Sequence, residues 1–388
     1  MERCALVGGR LVDPEAGEIL EATLLVEDGR IVDRVPRGTA IGGSFRRVPV
    51  PDRLIAPGFV DVHFHGDLFH APTAAFAGAL ERAAREMLAD GTTAFLATTV
   101  SWSEDEIGER VGELARLVAE GDRAGAECLG LHLEGPWLSH VAPGAMVPGC
   151  LRGFRAERDA AVLDRAGEAL RMVTLAPEVD GAGALLDALA RRGVVASLGH
   201  SHATPETIEQ GIDRGLRHVT HLFNAMGPVH HRAPGVAGTV LADDRLTCDL
   251  ICDGHHVHPA MVLVAARALR ERLVLITDRV DLPEGAAAPP APDAAPGAPV
   301  RLPDGTIAGS QLGQGQALRN AMAFAGLPLV EAVAAATIRP ARLLGVERDR
   351  GMLRPGGRAD LAILDEQGNV LGTWVAGRPV YGEHAAEA

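Results

Sequence analysis

Between residues 55 and 277, short apolar runs rich in β-formers alternate with longer segments of helical period, and few folds accept that rhythm. The runs fall at 55–62, 92–98, 128–133, 172–176, 194–198, 217–220, 247–252 and 273–277. The segments between them, among them 74–89, 104–119, 182–192, 204–214 and 259–269, repeat apolar residues at i, i+3, i+4 and i+7. Parallel strands each need a crossover, so about eight alternations over roughly 280 residues predict an α/β fold, a (β/α)8 TIM-like barrel. A doubly wound open sheet is the competing fold, but no G-x-G-x-x-G follows the first run to support it.

The chain ends read differently. Ala5-Leu6-Val7, a run over 22–27, an Asp28-Gly29 turn and a run over 30–35 have the style of β-hairpins. The stretches 359–364 and 373–375 repeat it around Gln367-Gly368-Asn369. Neither end buries enough alone, so residues 1–54 and 345–388 are expected to form one small discontinuous β-sandwich domain beside a barrel over 55–344. The Ala/Pro/Gly-rich segment 283–303 fits no compact element and is read as a flap over the barrel mouth.

Charge and composition exclude several function classes. The 37 basic residues are all Arg against 51 acidic ones, a net charge of −14. No nucleic-acid or anionic-membrane partner is expected. The absence of Lys removes Schiff-base catalysis, a phosphate-loop lysine and a carbamylated lysine bridging two metals. No run is long enough to span a membrane, the N-terminus does not read as a signal peptide, and the five scattered cysteines lack a C-x-x-C pattern. A cytoplasmic protein is expected.

Ionisable residues gather at the C-terminal ends of the predicted strands: Asp61, His63 and His65; His132 and Glu134; His200 and His202; His221; Asp253, His255 and His256; Asp278. Barrel enzymes keep their active sites on that face, and neutral imidazoles with carboxylates are metal-ligand types. Strand alternation points residues i and i+2 the same way, so an H-x-H pair aims jointly into the mouth. Each residue also has a plainer reading. A lone strand-end His is commonly a hydrogen-bonded core or surface residue, Asp278 and His202 have the form of helix caps, and 255–258 that of a polar loop. Coincidence at one end of one barrel is what argues for chemistry.

The motifs narrow this further. Pro57-Gly58-Phe59-Val60-Asp61-Val62-His63-Phe64-His65-Gly66 resembles the opening motif of the amidohydrolase superfamily. Gly130-Leu131-His132-Leu133-Glu134-Gly135-Pro136-Trp137, Gly199-His200-Ser201, His221-Leu222-Phe223-Asn224-Ala225-Met226 and Asp253-Gly254-His255-His256-Val257 are together similar to N-acetylglucosamine-6-phosphate deacetylases. That resemblance covers nearly the whole chain. It implies Glu134, His200 and His221 as ligands of a principal divalent metal, with His63 and His65 available for a second and Glu134 able to bridge. Zinc is the expected ion, with iron, manganese or cobalt as alternatives. It further implies Asp278 as catalytic base and acid and His256 as the group polarising the substrate carbonyl. Asn224 and Ala225 would contact the amino-sugar substrate, and Arg232 would reach its phosphate across a homodimer interface.

Three departures bear on substrate. Met146 stands where relatives have a substrate-contacting histidine, and a thioether donates no hydrogen bond. Arg279 follows the catalytic aspartate where relatives have small residues, and it either meets an anion or points into solvent. Asp67-Leu68-Phe69-His70 replaces a glycine-rich stretch. The leading expectation is a deacetylase of N-acetylated amino-sugar phosphates. The second is an amidohydrolase of specialised metabolism acting on another N-acyl or cyclic C–N substrate, and the third a non-catalytic binding protein that kept the barrel.

Overall fold

The computed structural model describes residues 3–121, 125–281 and 299–385. Eight parallel strands follow chain order around a barrel: Phe59–Gly66, Thr92–Thr98, Glu127–Glu134, Leu170–Leu175, Val195–Leu198, Leu216–Val219, Thr247–Ile251 and Leu273–Ile276. The eighth breaks at Thr277-Asp278, and its continuation, Arg279–Val280, pairs in parallel with the first, Arg279 opposite Phe64 and Val280 opposite Gly66. That pairing closes the ring.

The helices that wrap it are amphipathic for the reason the sequence suggests. Glu104–Glu120 buries Ile107, Val111, Leu114 and Leu117 on one stripe, each fully buried Leu contributing about 1.5–3 kcal/mol. Pro205–Asp213 begins at Thr204, whose hydroxyl accepts from the Thr207 N–H at 3.3 Å, with Pro in the first turn. His202 is therefore not the cap of that helix. Its backbone N–H donates to Glu178 Oε1 at 2.7 Å instead.

Two sheets drawn from both chain ends face each other. One runs Arg30–Pro36, Ala22–Glu27, Arg3–Val7, Arg46–Pro49; the other runs Arg378–Gly382, Val370–Val375, Leu361–Leu364, Leu54–Pro57, Arg10–Asp13, Glu18–Leu20. Leu6, Leu24, Ile31, Ile55, Leu361 and Trp374 meet between them. Alternation then sends Leu54 and Ala56 the other way, onto Ala332, Val333 and Ala336 of the helix Leu329–Ala336. The expected single strand over 55–62 is thus two strands in different sheets. Gly58 makes the transition, because a Cβ there would lie 2.2 Å from Thr93 Oγ1.

The segment 283–303, read above as a flap, lies mostly outside the described residues. Its last part enters a hairpin in which Val300–Arg301 runs antiparallel to Ile307–Gly309. No helix among the described residues is long and apolar enough to cross a membrane.

Candidate active site

The strand ends deliver six buried ionisable side chains to one place: His63, His65, Glu134, His200, His221 and Asp278. Glu134 stands at the centre. Its Oε1 lies 2.9 Å from His221 Nε2 and 3.2 Å from His200 Nε2, and its Oε2 lies 3.3 Å from His65 Nε2. Asp278 Oδ1 is 3.3 Å from both His63 Nε2 and His65 Nε2. Two overlapping triads, His63–His65–Glu134 and Glu134–His200–His221, could each hold a metal ion.

The backbone bends sharply to achieve this. His200, His221 and Asp278 adopt φ of 48°, 34° and 49°, a left-handed conformation that costs non-glycine residues on the order of 1–3 kcal/mol each. Neighbours hold it in place. The His221 N–H donates to Asp249 Oδ1 and the Leu222 N–H to the Asp249 carbonyl at 3.0 Å. The Asp278 N–H donates to the His63 carbonyl at 2.9 Å.

The donor set fits a cation. His200 Nδ1 lies 3.0 Å from the Ala142 carbonyl, so that nitrogen carries the proton and Nε2 turns a lone pair on a carboxylate oxygen. His63, His65 and His221 leave their buried Nδ1 atoms without a partner while their Nε2 atoms converge. Two buried carboxylates require positive charge. Burial alone would favour a neutral His65, yet Asp278 and Glu134 outweigh it and lift the imidazolium to about 10. His221 rises to about 9 in the same way, through Glu134. Burial likewise opposes ionisation of Asp278, but His63 and His65 hold it below the usual carboxylate range.

Around this floor lies a cleft of about 350 Å³. His256 lines it, with Nδ1 2.6 Å from Asp253 Oδ2. Asn224 and Ala225 line it too, the Asn224 amide donating to the His221 carbonyl at 3.2 Å. Met146 is buried in its wall beside Leu138 and Leu151, and its sulfur accepts from the Ser101 N–H at 3.3 Å. Arg279 and Arg232 stand outside this chain's own cleft. Arg279 donates to Asp281 at 2.7 Å and to Glu86 at 3.0 Å, because paired carboxylates outside the mouth capture its guanidinium. Arg232 sits on an exposed loop and bonds its neighbour His231 at 2.7 Å. Conversely, Arg301 lines the cleft and went unnoticed in the sequence, having no motif around it. A larger cleft of about 1000 Å³ at the barrel's far end, lined by Asp28, Arg85, Glu127 and Arg358, contains neither triad.

A closed parallel barrel with a His/carboxylate cluster at its C-terminal face, suited to a divalent metal, defines a metal-dependent hydrolase of the amidohydrolase type. The model of the amidohydrolase family matches residues 54–380. The N-acetylglucosamine-6-phosphate deacetylase of Homo sapiens is 33% identical over 395 residues, covering 98% of this chain and 91% of that protein. The N-acetylgalactosamine-6-phosphate deacetylase of Escherichia coli O157:H7 is 34% identical over 369 residues, covering 92% and 97%. A solved structure of a mutant N-acetyl-D-glucosamine-6-phosphate deacetylase from Mycobacterium smegmatis, in complex with N-acetyl-D-glucosamine-6-phosphate, is similar with a TM-score of 0.87. Identity is 34%, over 98% of this chain and 100% of that one. The chain belongs to the amidohydrolase family, in its N-acetylglucosamine-6-phosphate deacetylase branch.

Proposed function

We propose that this chain hydrolyses the acetamide of an N-acetylated amino-sugar phosphate, releasing acetate and the free amine. The observation that carries the reading is Glu134, shared between two ligand triads with Asp278 beside them at the floor of one cleft. Glu134, His200 and His221 would hold the principal divalent ion, with zinc the first choice, and His63 and His65 a second. When bound, such an ion polarises a carbonyl and makes water a better nucleophile near neutral pH.

The protein's own groups move the protons. Asp278, at the cleft floor beside the ligand cluster, accepts a proton as water attacks the acyl carbon. The new C–O bond forms, the C–N bond breaks, and Asp278 returns the proton to nitrogen, since an amine anion does not leave at neutral pH. His256, its Nδ1 tied to Asp253, presents Nε2 to the carbonyl oxygen. Asn224 and Ala225 orient the sugar, and Met146 gives one wall an apolar surface. The exposed position of Arg232 suits a homodimer in which it enters the neighbouring cleft. The cytoplasm is the proposed compartment.

The named relatives act on amino-sugar phosphates, so the alternative of another N-acyl or cyclic C–N substrate is not favoured. The test is acetate release by the metal-loaded enzyme from N-acetylglucosamine-6-phosphate, from its unphosphorylated form and from a panel of N-acyl amines. Turnover confined to the phosphorylated sugar is expected. Equal turnover of both sugars rejects the phosphate specificity, and turnover confined to the panel rejects the substrate class.

A further inference from the structure

We infer that Arg301 is the residue within this chain that receives the substrate's anionic group, an inference that rests on the deacetylase reading above. Among the described residues it is the one arginine lining the cleft, and none of their carboxylates lies within ion-pair distance of it. Arg279 is neutralised by Asp281 and Glu86, and Arg232 stands outside the cleft of its own chain. The acetamide is read at the floor beside Glu134 and Asp278, which leaves the substrate's anionic end toward the rim, where Arg301 offers a planar fork of donors.

The arginine is also rigidly mounted. The Leu302 N–H donates to the Thr306 carbonyl and the Gly305 N–H to the Leu302 carbonyl, both at 2.9 Å, which closes the hairpin turn. Arg301 Nη1 donates to the Gly305 carbonyl at 2.8 Å, fixing one edge of the guanidinium. The returning strand Ile307–Gly309 runs into Ser310, whose N–H donates to the Asp278 carbonyl at 2.8 Å and whose carbonyl accepts from the Val280 N–H at 3.1 Å. Gly309 permits that seat. With φ at 142°, a Cβ there would meet Val280 Cγ2 at 2.4 Å. The hairpin that carries the anion handle is therefore hydrogen-bonded through Ser310 to the backbone of the proton acceptor, which sets the distance between the substrate's charged end and its scissile bond.

The test compares the metal-loaded wild type with Arg301→Ala, Arg301→Lys and Arg232→Ala in two assays. Steady-state kinetics on phosphorylated and unphosphorylated N-acetylglucosamine gives the ratio of kcat/KM for the two substrates. Titration calorimetry with inorganic phosphate reads anion binding without turnover. Arg301→Ala should lower the ratio at least tenfold, through KM, and weaken phosphate binding by a similar factor, with Arg301→Lys recovering part of both. An unchanged ratio and unchanged phosphate affinity in Arg301→Ala overturns the assignment, as does loss confined to Arg232→Ala. Should the wild type hydrolyse neither sugar, the deacetylase reading fails, and calorimetry alone then decides whether Arg301 holds an anion.

Discussion

Glu134 Oε1 lies 2.9 Å from His221 Nε2, although 87 positions separate them along the chain. The third and sixth barrel strands carry the pair to the same point, with His200 Nε2 within 3.2 Å of both atoms. Replacing the carboxylate with its amide tests what the contact is for. Glu134→Gln should retain the fold but bind divalent metal at least ~100-fold more weakly, given that even outer partners of metal ligands are worth 10–100-fold. Metal content after dialysis and turnover should fall together. Thermal unfolding should separate the proteins further: metal at about 100 times its Kd stabilises the wild type by about 2.7 kcal/mol, and the variant should gain far less.

Asp278 should behave in the opposite sense. Asp278→Asn keeps the shape but removes the proton acceptor, so turnover should drop by about 10²–10⁴-fold, or about 3–5 kcal/mol of barrier. Metal content should stay close to wild type. Turnover near wild type would mean that the proton leaves by another route.

Asp249 touches the site only through backbone and a buried imidazole. Its carboxylate accepts from the His221 N–H and lies 3.1 Å from His218 Nε2. Asp249→Ala should release the strained turn at His221 and weaken metal affinity by roughly 10–100-fold. A competitive chelator titration reads this directly, and excess metal should restore much of the turnover.

Asp159 anchors the loop that follows Glu134. Fully buried, it accepts from the Arg155 N–H at 2.8 Å, from Trp137 Nε1 at 3.2 Å and from Arg152 and Arg158. Burial opposes its charge, but these donors prevail and its carboxyl sits below the ordinary value of 3.8. Such a group stabilises the fold fully above its unfolded pKa and progressively less as pH falls through the lower folded pKa. Asp159→Ala takes the carboxylate from the part-buried Arg152, while Arg158 keeps Glu104, and should cost about 1.5–3 kcal/mol at neutral pH. Denaturant unfolding at pH 7 and near pH 3 should show the gap between wild type and variant shrinking in acid.

The fold class was legible because strand and helix periods alternate with little interruption, and the site because H-x-H, H-L-E-G-P and the strand-end Asp278 announce themselves locally. What escaped were relationships between distant segments. The run over 55–62 is apolar throughout, so nothing in its pattern marks the change of sheet at Gly58, which depends on crowding by Thr93. The fate of Arg279 was open because Glu86, one of its two partners, is 193 positions away. Arg301 carried no signal, since its meaning comes from a hairpin that folds back beside Asp278.

The interruption of the eighth strand at Thr277-Asp278 has a consequence for how the molecule would fail. The residue assigned to shuttle protons occupies the seam where the last strand hands over to the first, so its aim depends on the hoop staying shut. Mild heat, a cosolvent or a distant core lesion that parts this joint would silence chemistry well before the helices melt, and lost activity would serve as an early gauge of a barrel beginning to open.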